Sequence, residues 1–307
     1  MKNYINKIKQ DPNQLFFDIY NTAVLIFAIG ALIAIIQWIV GIFNGQTILN
    51  PVAITLGGTN IYWYGIIFAL AFLFGFLVVI REARRMGTDI DKTINLVFWT
   101  VVFGFVGARV VFALLNWGFY SSNLLSILNI WEGGLSLFGA LIGGGLFLTI
   151  YSLAKKESAW KALDLFAPAL LIGTVIGRWG NFFNQEYFGI PSNYLLKMYV
   201  NPMRRPWELR SFAFFHPLFL YESLLCLLLF IVLILLKRKR EVTTGGIFLG
   251  YILGYSVIRF FLEFLSLEPK IIGGFTLNQA VVFIFALIAA LILIIKRKKK
   301  PNKVRKK

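Results

Sequence analysis

Apolar residues in this chain come in long unbroken runs, not in the alternation of a half-buried strand or the narrow stripe of a surface helix. Eight such runs lie near residues 17–43, 61–80, 93–115, 134–154, 163–181, 217–236, 245–265 and 275–295. About 20 helical residues cross a hydrocarbon core of roughly 30 Å, and inside lipid a helix satisfies its own backbone. The pattern therefore predicts an all-α polytopic membrane protein with about eight transmembrane helices and no soluble domain. One long loop, Gln185 to Phe215, holds Pro191, Pro202, Pro206 and several aromatics; loops of that length usually carry function. No internal repeat is visible, which weighs against an inverted-repeat transporter.

Composition agrees: 15% of the residues are charged, against about a quarter in soluble domains. The net charge of +17 invites nucleic acid as a partner until the charges are located. They stand in blocks beside the apolar runs, without interleaved aromatics, as in cytoplasmic membrane anchors. If the N-terminus is cytoplasmic, 23 of the 31 basic residues fall inside: in the N-tail, Arg81–Lys92, Lys155–Lys161, Lys237–Arg240 and the tail from Lys296. Five (Lys197, Arg204, Arg205, Arg210 and Lys270) fall in the opposite loops. The positive-inside rule then puts both termini in the cytoplasm and makes the lipid bilayer, not nucleic acid, the partner of this charge. Lys2, Lys7 and Lys9 precede an apolar stretch reaching Phe43 without a small-residue cleavage site, so a retained anchor helix is expected and not a signal peptide. The chain divides into an anchor helix and outer loop (1–60), a seven-helix core (61–295) and a basic cytoplasmic tail (296–307). The single cysteine, Cys226, sits inside an apolar run and reads as a small buried hydrophobe; with one Cys and one His there is no metal-ligand spacing.

Charged residues inside membrane helices are costly and usually functional. Here they are Arg109, Arg178, Glu222, Arg259 and Glu263, joined near helix ends by Tyr64, Asn181, Asn184, Glu186, His216 and Tyr221. The topology puts all of them in the outer half of the bilayer and leaves the inner half almost free of charge, which disfavours a transport path. Three arginines at headgroup depth suggest a bound anion, since the guanidinium fork matches phosphate oxygens. Glu222 and Glu263 would be counter-ions. Simpler readings stand beside this one: Arg259 and Glu263, four apart, pair only with each other; Arg109 snorkels; Glu222 is an interhelical hydrogen-bond partner. The densest stretch is Gly177-Arg178-Trp179-Gly180-Asn181-Phe182-Phe183-Asn184-Gln185-Glu186-Tyr187-Phe188-Gly189. Its glycines permit close approach, and Asn181 and Asn184 share a face if the helix continues.

That stretch resembles the signature of bacterial prolipoprotein diacylglyceryl transferases, G-R-x-G-N-F-x-N-x-E-x-x-G, at every fixed position. The resemblance extends over residues 61–295. Tyr62-Trp63-Tyr64-Gly65 is similar to the family's first-helix motif with its functional tyrosine. Ala83-Arg84-Arg85 through Gly107-Ala108-Arg109 is similar to the loop and helix that follow. Trp131-Glu132-Gly133-Gly134-Leu135-Ser136 resembles the start of its glycine-rich helix. His216-Pro217 with Leu220-Tyr221-Glu222, and Arg259-Phe260 with Glu263-Phe264, resemble two later elements.

The resemblance implies a diacylglyceryl transfer from phosphatidylglycerol to the lipobox cysteine thiol of a prolipoprotein, just after its signal peptide. It implies release of glycerol phosphate, no cofactor, and a place in the bacterial inner membrane with the site toward the outer leaflet. Arg178 and Arg259 would bind phosphate; Arg109, Asn184, Glu222, Glu263, Gly133 and Gly134 would complete the substrate site; Tyr64, Asn181, Glu186 and His216 are the catalytic candidates. Three departures stand out. Phe138 occupies the position where many members have His, Ser266 the position of a usual Arg, and an extra N-terminal helix precedes the core. Phe138 cannot move a proton, so a lapsed member that only binds lipid or prolipoprotein is the rival expectation.

Overall fold

The structure is a computed structural model of the chain and describes residues 12–130, 133–238 and 242–298. Eight long helices dominate it: α1 (Pro12–Phe43), α2 (Trp63–Met86), α3 (Ile90–Leu115), α4 (Leu137–Ala154), α5 (Ala159–Asn184), α6 (Leu218–Arg238), α7 (Gly246–Leu262) and α8 (Leu277–Lys298). Each contains a segment long and apolar enough to span a bilayer. The all-α membrane architecture expected from the apolar runs is the one observed. Several helices outrun the hydropathy: α2 continues through Arg81, Glu82, Arg84 and Arg85, and α1 begins at Pro12. Apolarity marks where lipid ends, whereas backbone hydrogen bonding continues into the headgroup zone.

Local signals set the ends. Gly87, at φ +67°, closes α2 with its N–H on the carbonyls of Ala83 and Arg84, a left-handed cap. The Asp89 carboxylate accepts from the N–H groups of Asp91 and Lys92 to open α3, and Ser136 accepts from Gly139 to open α4. Between α1 and α2, strands β1 (Val52–Leu56) and β2 (Thr59–Tyr62) pair antiparallel, Leu56 opposite Thr59. Gly57 and Gly58 both have positive φ there, which a two-residue hairpin turn requires.

The chain packs as two compact units. One comprises residues up to Asn50 together with Ile190–Pro217. In it, β3 (Met198–Tyr199) pairs with β4 (Phe214–Phe215), and the turn after α1 meets β3, Gly45 lying against the Tyr199 ring. Arg205 is buried beneath this hairpin, donating to the carbonyls of Val200 (2.7 Å) and Arg210 (2.9 Å). The long loop foreseen after Gln185 is thus largely built structure.

The second unit, Pro51–Gly189 and Leu218 onward, holds the other seven helices and a β5 (Lys270–Ile272)/β6 (Phe275–Thr276) hairpin. Within it α2 packs on α5, α3 on α4, α5 on α6, and α7 on α8. The α3–α4 crossing is made of glycine: Gly107 faces the Gly139 carbonyl and Gly143, and Gly143 faces the Phe103 carbonyl. Membrane helices gain little from hiding apolar surface from water, so such small-residue contact does the work instead. Large apolar side chains along every long helix except α5 point outward, toward lipid.

Candidate active site

The arginines of α5 and α7 meet on one carboxylate. Glu222, near the start of α6, is 0% exposed. Its Oε1 accepts from Arg178 Nη2 at 2.6 Å and from the Tyr255 hydroxyl at 2.9 Å, and its Oε2 from Arg259 Nη1 at 3.1 Å. Arg259 Nη2 donates to Glu263 Oε2 at 2.9 Å. Glu263, also buried, takes Asn278 Nδ2 (3.0 Å) and Thr276 Oγ1 (3.3 Å) on its other oxygen. One simpler reading holds, since Glu222 bridges helices; the other does not, because Arg259 pairs with Glu263 and also with Glu222. Two part-buried guanidiniums and two buried carboxylates balance, which is the condition for holding such charge out of water.

Packing fixes these groups. The Trp179, Phe182 and Phe219 rings lie 5.3–5.8 Å apart and lock the end of α5 to the start of α6, at about 0.5–1.5 kcal/mol per aromatic pair. Ser223 Oγ donates to the Val175 carbonyl at 2.8 Å across the same interface. Gln279 on α8 donates to the Phe260 carbonyl on α7. Arg178 and Arg259 open onto a cavity of about 480 Å³ whose lining also includes Tyr187, Ser266, Phe188, Leu218 and Leu267. Glu263 and Glu268 share this lining, Glu263 already engaged by Arg259; the two cations beside an apolar wall suit a ligand with an anionic head and a hydrocarbon neighbour.

Around the glycine-rich end of α5 the helix does continue to Asn184, so Asn181 and Asn184 share a face. Asn181 Oδ1 accepts from Arg178 Nη1 at 3.3 Å, and Asn184 Nδ2 donates to Glu186 Oε1 at 3.2 Å. Gly180 admits the Tyr64 ring: an added Cβ would sit 2.8 Å from it. Gly177 faces open space. Gln185 (φ +51°) and Tyr187 (φ +55°) flank exposed Glu186 in left-handed backbone, a conformation costing roughly 1–3 kcal/mol that persists only where its surroundings enforce it.

Arg109 does something other than expected. Its five N–H groups go to five backbone carbonyls: Nε to Ile127 (2.5 Å), Nη1 to Gly133 (2.7 Å) and Gly134 (2.9 Å), Nη2 to Ser126 and Asn129 (3.0 Å each). A guanidinium has no further donors, so none is left for a phosphate, and a buried Arg109 does not snorkel either. Gly133 and Gly134, at φ +85° and +78°, offer carbonyls to it; a Cβ on Gly134 would strike Phe112 and Arg109. The third arginine of the expected anion site is a loop builder. Trp131 and Glu132 lie outside the described residues, as do the N-tail to Asp11 and the basic tail from Lys299.

His216 belongs to the other unit. It is buried, its N–H on the Ile190 carbonyl and its ring 5.8 Å from Tyr194. Burial lowers its pKa, so the imidazole is neutral at neutral pH and able to accept a proton. Phe138 stands in the first turn of α4 with its ring exposed. Cys226 is fully buried one turn below Glu222.

The sequence model of the prolipoprotein diacylglyceryl transferase family matches residues 51–295. A protein of Listeria monocytogenes named phosphatidylglycerol–prolipoprotein diacylglyceryl transferase is 35% identical over 268 residues, covering 83% of this chain and 93% of its own. Relatives of the same name from Synechocystis (38% over 237 residues, 76% and 84% covered) and Pediococcus pentosaceus (35% over 253 residues, 81% and 91% covered) agree. The chain belongs to this family.

Against the pattern of the prolipoprotein diacylglyceryl transferases, the three departures noted above all lie in the described residues, the additional helix being α1 (Pro12–Phe43). Ser266 lines the cavity beside Arg259, and Phe138 adjoins Gly139 of the α3–α4 crossing. Two site residues escaped the sequence reading. Tyr255 is four residues before Arg259, on its helix face, a spacing that could have flagged it. Tyr187 touches both arginines, yet occupies a variable position of the family pattern. The helix ends remote from the arginine cluster also hold more charge than expected. Buried Glu82 meets Lys237 at 3.0 Å. Asp164 caps α7 by accepting from the N–H groups of Gly245 (2.6 Å) and Phe248 (2.8 Å). Both carboxylates are engaged in joining helix ends.

Proposed function

We propose that the protein transfers the diacylglyceryl group of phosphatidylglycerol to the lipobox cysteine thiol of a prolipoprotein, next to its signal peptide, and releases glycerol phosphate. The observation that carries this reading is the pair of guanidiniums, Arg178 and Arg259, held on Glu222 at a half-apolar cavity. The reaction occurs at the bacterial inner membrane, with both termini cytoplasmic, the site toward the outer leaflet and residues 61–295 as the seven-helix core.

Attack of the thiol sulfur on the glycerol carbon forms the S–C bond and breaks C–O, and the electron pair leaves with the phosphate oxygen. A diester monoanion thereby becomes a phosphate monoester with additional negative charge. Donors already aimed at that oxygen bind the product-like transition state better than the ground state. Arg178 and Arg259 supply them, with Glu222 and Glu263 setting their direction and Asn181 steadying Arg178. The thiol proton passes to His216, Tyr64 or Glu186, directly or through water, since Phe138 cannot take it. Asn184 orients Glu186; Arg109, Gly133 and Gly134 contribute by building the loop before α4.

Incubation of the full chain with phosphatidylglycerol and a lipobox peptide should add one diacylglyceryl mass to the peptide cysteine. The departure at Phe138 gives a second reading, a lapsed enzyme. If wild type leaves the peptide unmodified while Phe138→His modifies it, that reading replaces the first.

A further inference from the structure

We propose that Tyr187 is a positioning residue whose ring sets the tilt and spacing of both guanidiniums for a phosphodiester headgroup; the inference rests on the lipid-transfer reading and deepens it. Besides the Glu222 carboxylate, Arg178 and Arg259 share the face of this ring. The Arg178 Cζ lies 4.5 Å from its centroid and the Arg259 Cζ 5.2 Å. Its hydroxyl accepts a hydrogen bond from Arg259 Nη1 and donates to Glu222. The ring lines the cavity with both arginines. Its backbone is held left-handed, and its carbonyl accepts the Phe219 N–H at 3.2 Å, tying it to the start of α6.

The physical need is clear from the charges. Glu222 neutralises the arginines but holds each through one or two hydrogen bonds, about which a planar guanidinium can swing. Without a second surface, each would close onto its carboxylate, Arg178 on Glu222 and Arg259 on Glu263, turning donors away from the cavity. An aromatic face opposes that, because it attracts a guanidinium most when the two are in contact over the ring. Burial raises the Tyr187 pKa, so the phenol stays protonated and keeps its donor role toward Glu222.

The test titrates the two substrates separately against the full chain in lipid nanodiscs. It also reads phosphatidylglycerol binding directly by native mass spectrometry, independent of turnover. Removing two cation–ring contacts in Tyr187→Leu is expected to raise both KM and Kd for phosphatidylglycerol by about tenfold or more. KM for the peptide should stay within about twofold, and Tyr187→Phe, which keeps the ring, within about threefold of wild type for the lipid. Tyr187→Met supplies an apolar side chain of similar reach without a ring, and should behave as Leu does if Leu folds poorly. Wild-type lipid affinity in Leu and Met overturns the proposal. So does an equal rise in KM for both substrates, the mark of general loosening, or a Phe variant as impaired as Leu. Binding that depends on Tyr187 in a protein that transfers nothing upholds this inference and sinks the transferase reading. Transfer with Tyr187-independent binding does the reverse, and neither binding nor transfer overturns both.

Discussion

A fully buried carboxylate that receives two guanidiniums and a tyrosine hydroxyl cannot be half-removed cheaply. Glu222→Ala leaves Arg178 without its counter-charge beside Arg259, which keeps only Glu263, and breaking buried pairs in this way costs about 3–5 kcal/mol. Denaturant titration in micelles should register that loss, and a variant as stable as wild type would mean the cluster is solvated. Arg178→Lys keeps the charge and loses the planar fork. Transfer should fall at least about tenfold, or ~1.4 kcal/mol of transition-state stabilisation, and near-normal turnover of Arg178→Ala would remove Arg178 from the site. Arg178, Arg259, Glu222 and Glu263 were legible from sequence because a charge inside an apolar run has no cheap alternative partner. Arg109 satisfied the same criterion and was misplaced, because sequence shows that a guanidinium is buried but not which acceptors it meets. Its acceptors are backbone carbonyls 17–25 residues away, which have no signature of their own.

At the scale of elements, the α3–α4 crossing is the place where side-chain size decides packing. Gly107 and Gly143 each lie against the partner backbone, whereas Gly145 on the same helix as Gly143 has open space around it. Gly143→Leu should therefore wedge the helices apart, at about 1–3 kcal/mol for overpacking, while Gly145→Leu should leave the melting temperature nearly unchanged. Equal melting of the two variants would show that the crossing is loose. The helices themselves were readable because a bilayer demands continuous apolar length, and hydropathy reports length directly. Their pairing was not, since glycine spacing permits close approach without naming the partner. The three hairpins were missed for a related reason. Strands of two to five residues are too short to establish an alternation, and the only local cues are the Gly-Gly turns at Gly57-Gly58 and Gly273-Gly274, both with positive φ.

For the molecule as a whole, the orientation proposed above rests on where its charges stand. Basic residues crowd the ends of α2, α6 and α8 and the turn before α5, and few occur in the opposite loops. A Lys or Arg near the cytoplasmic leaflet gains on the order of 1 kcal/mol from anionic lipid, so inverting the chain would forfeit that at many sites together. The cluster of Arg178, Glu222 and Arg259 lies at the helix ends remote from this basic belt, as Arg178 is late in α5 and Glu222 early in α6. Both conclusions are checked by one labelling experiment. Cys226 is buried and the accepting thiol belongs to the substrate, so Cys226→Ala is expected to keep most of the activity and supplies a thiol-free background. On it, single cysteines replace Thr59, Asn193, Glu157 or Thr244, all exposed positions. In intact cells a membrane-impermeant maleimide should label the first two, and the last two only after the membrane is permeabilised. The reverse pattern would turn the protein over and put the arginine pair at the cytoplasmic face. An inactive but folded Cys226→Ala would instead make that buried thiol a participant, pointing to a lipid bound covalently to the enzyme.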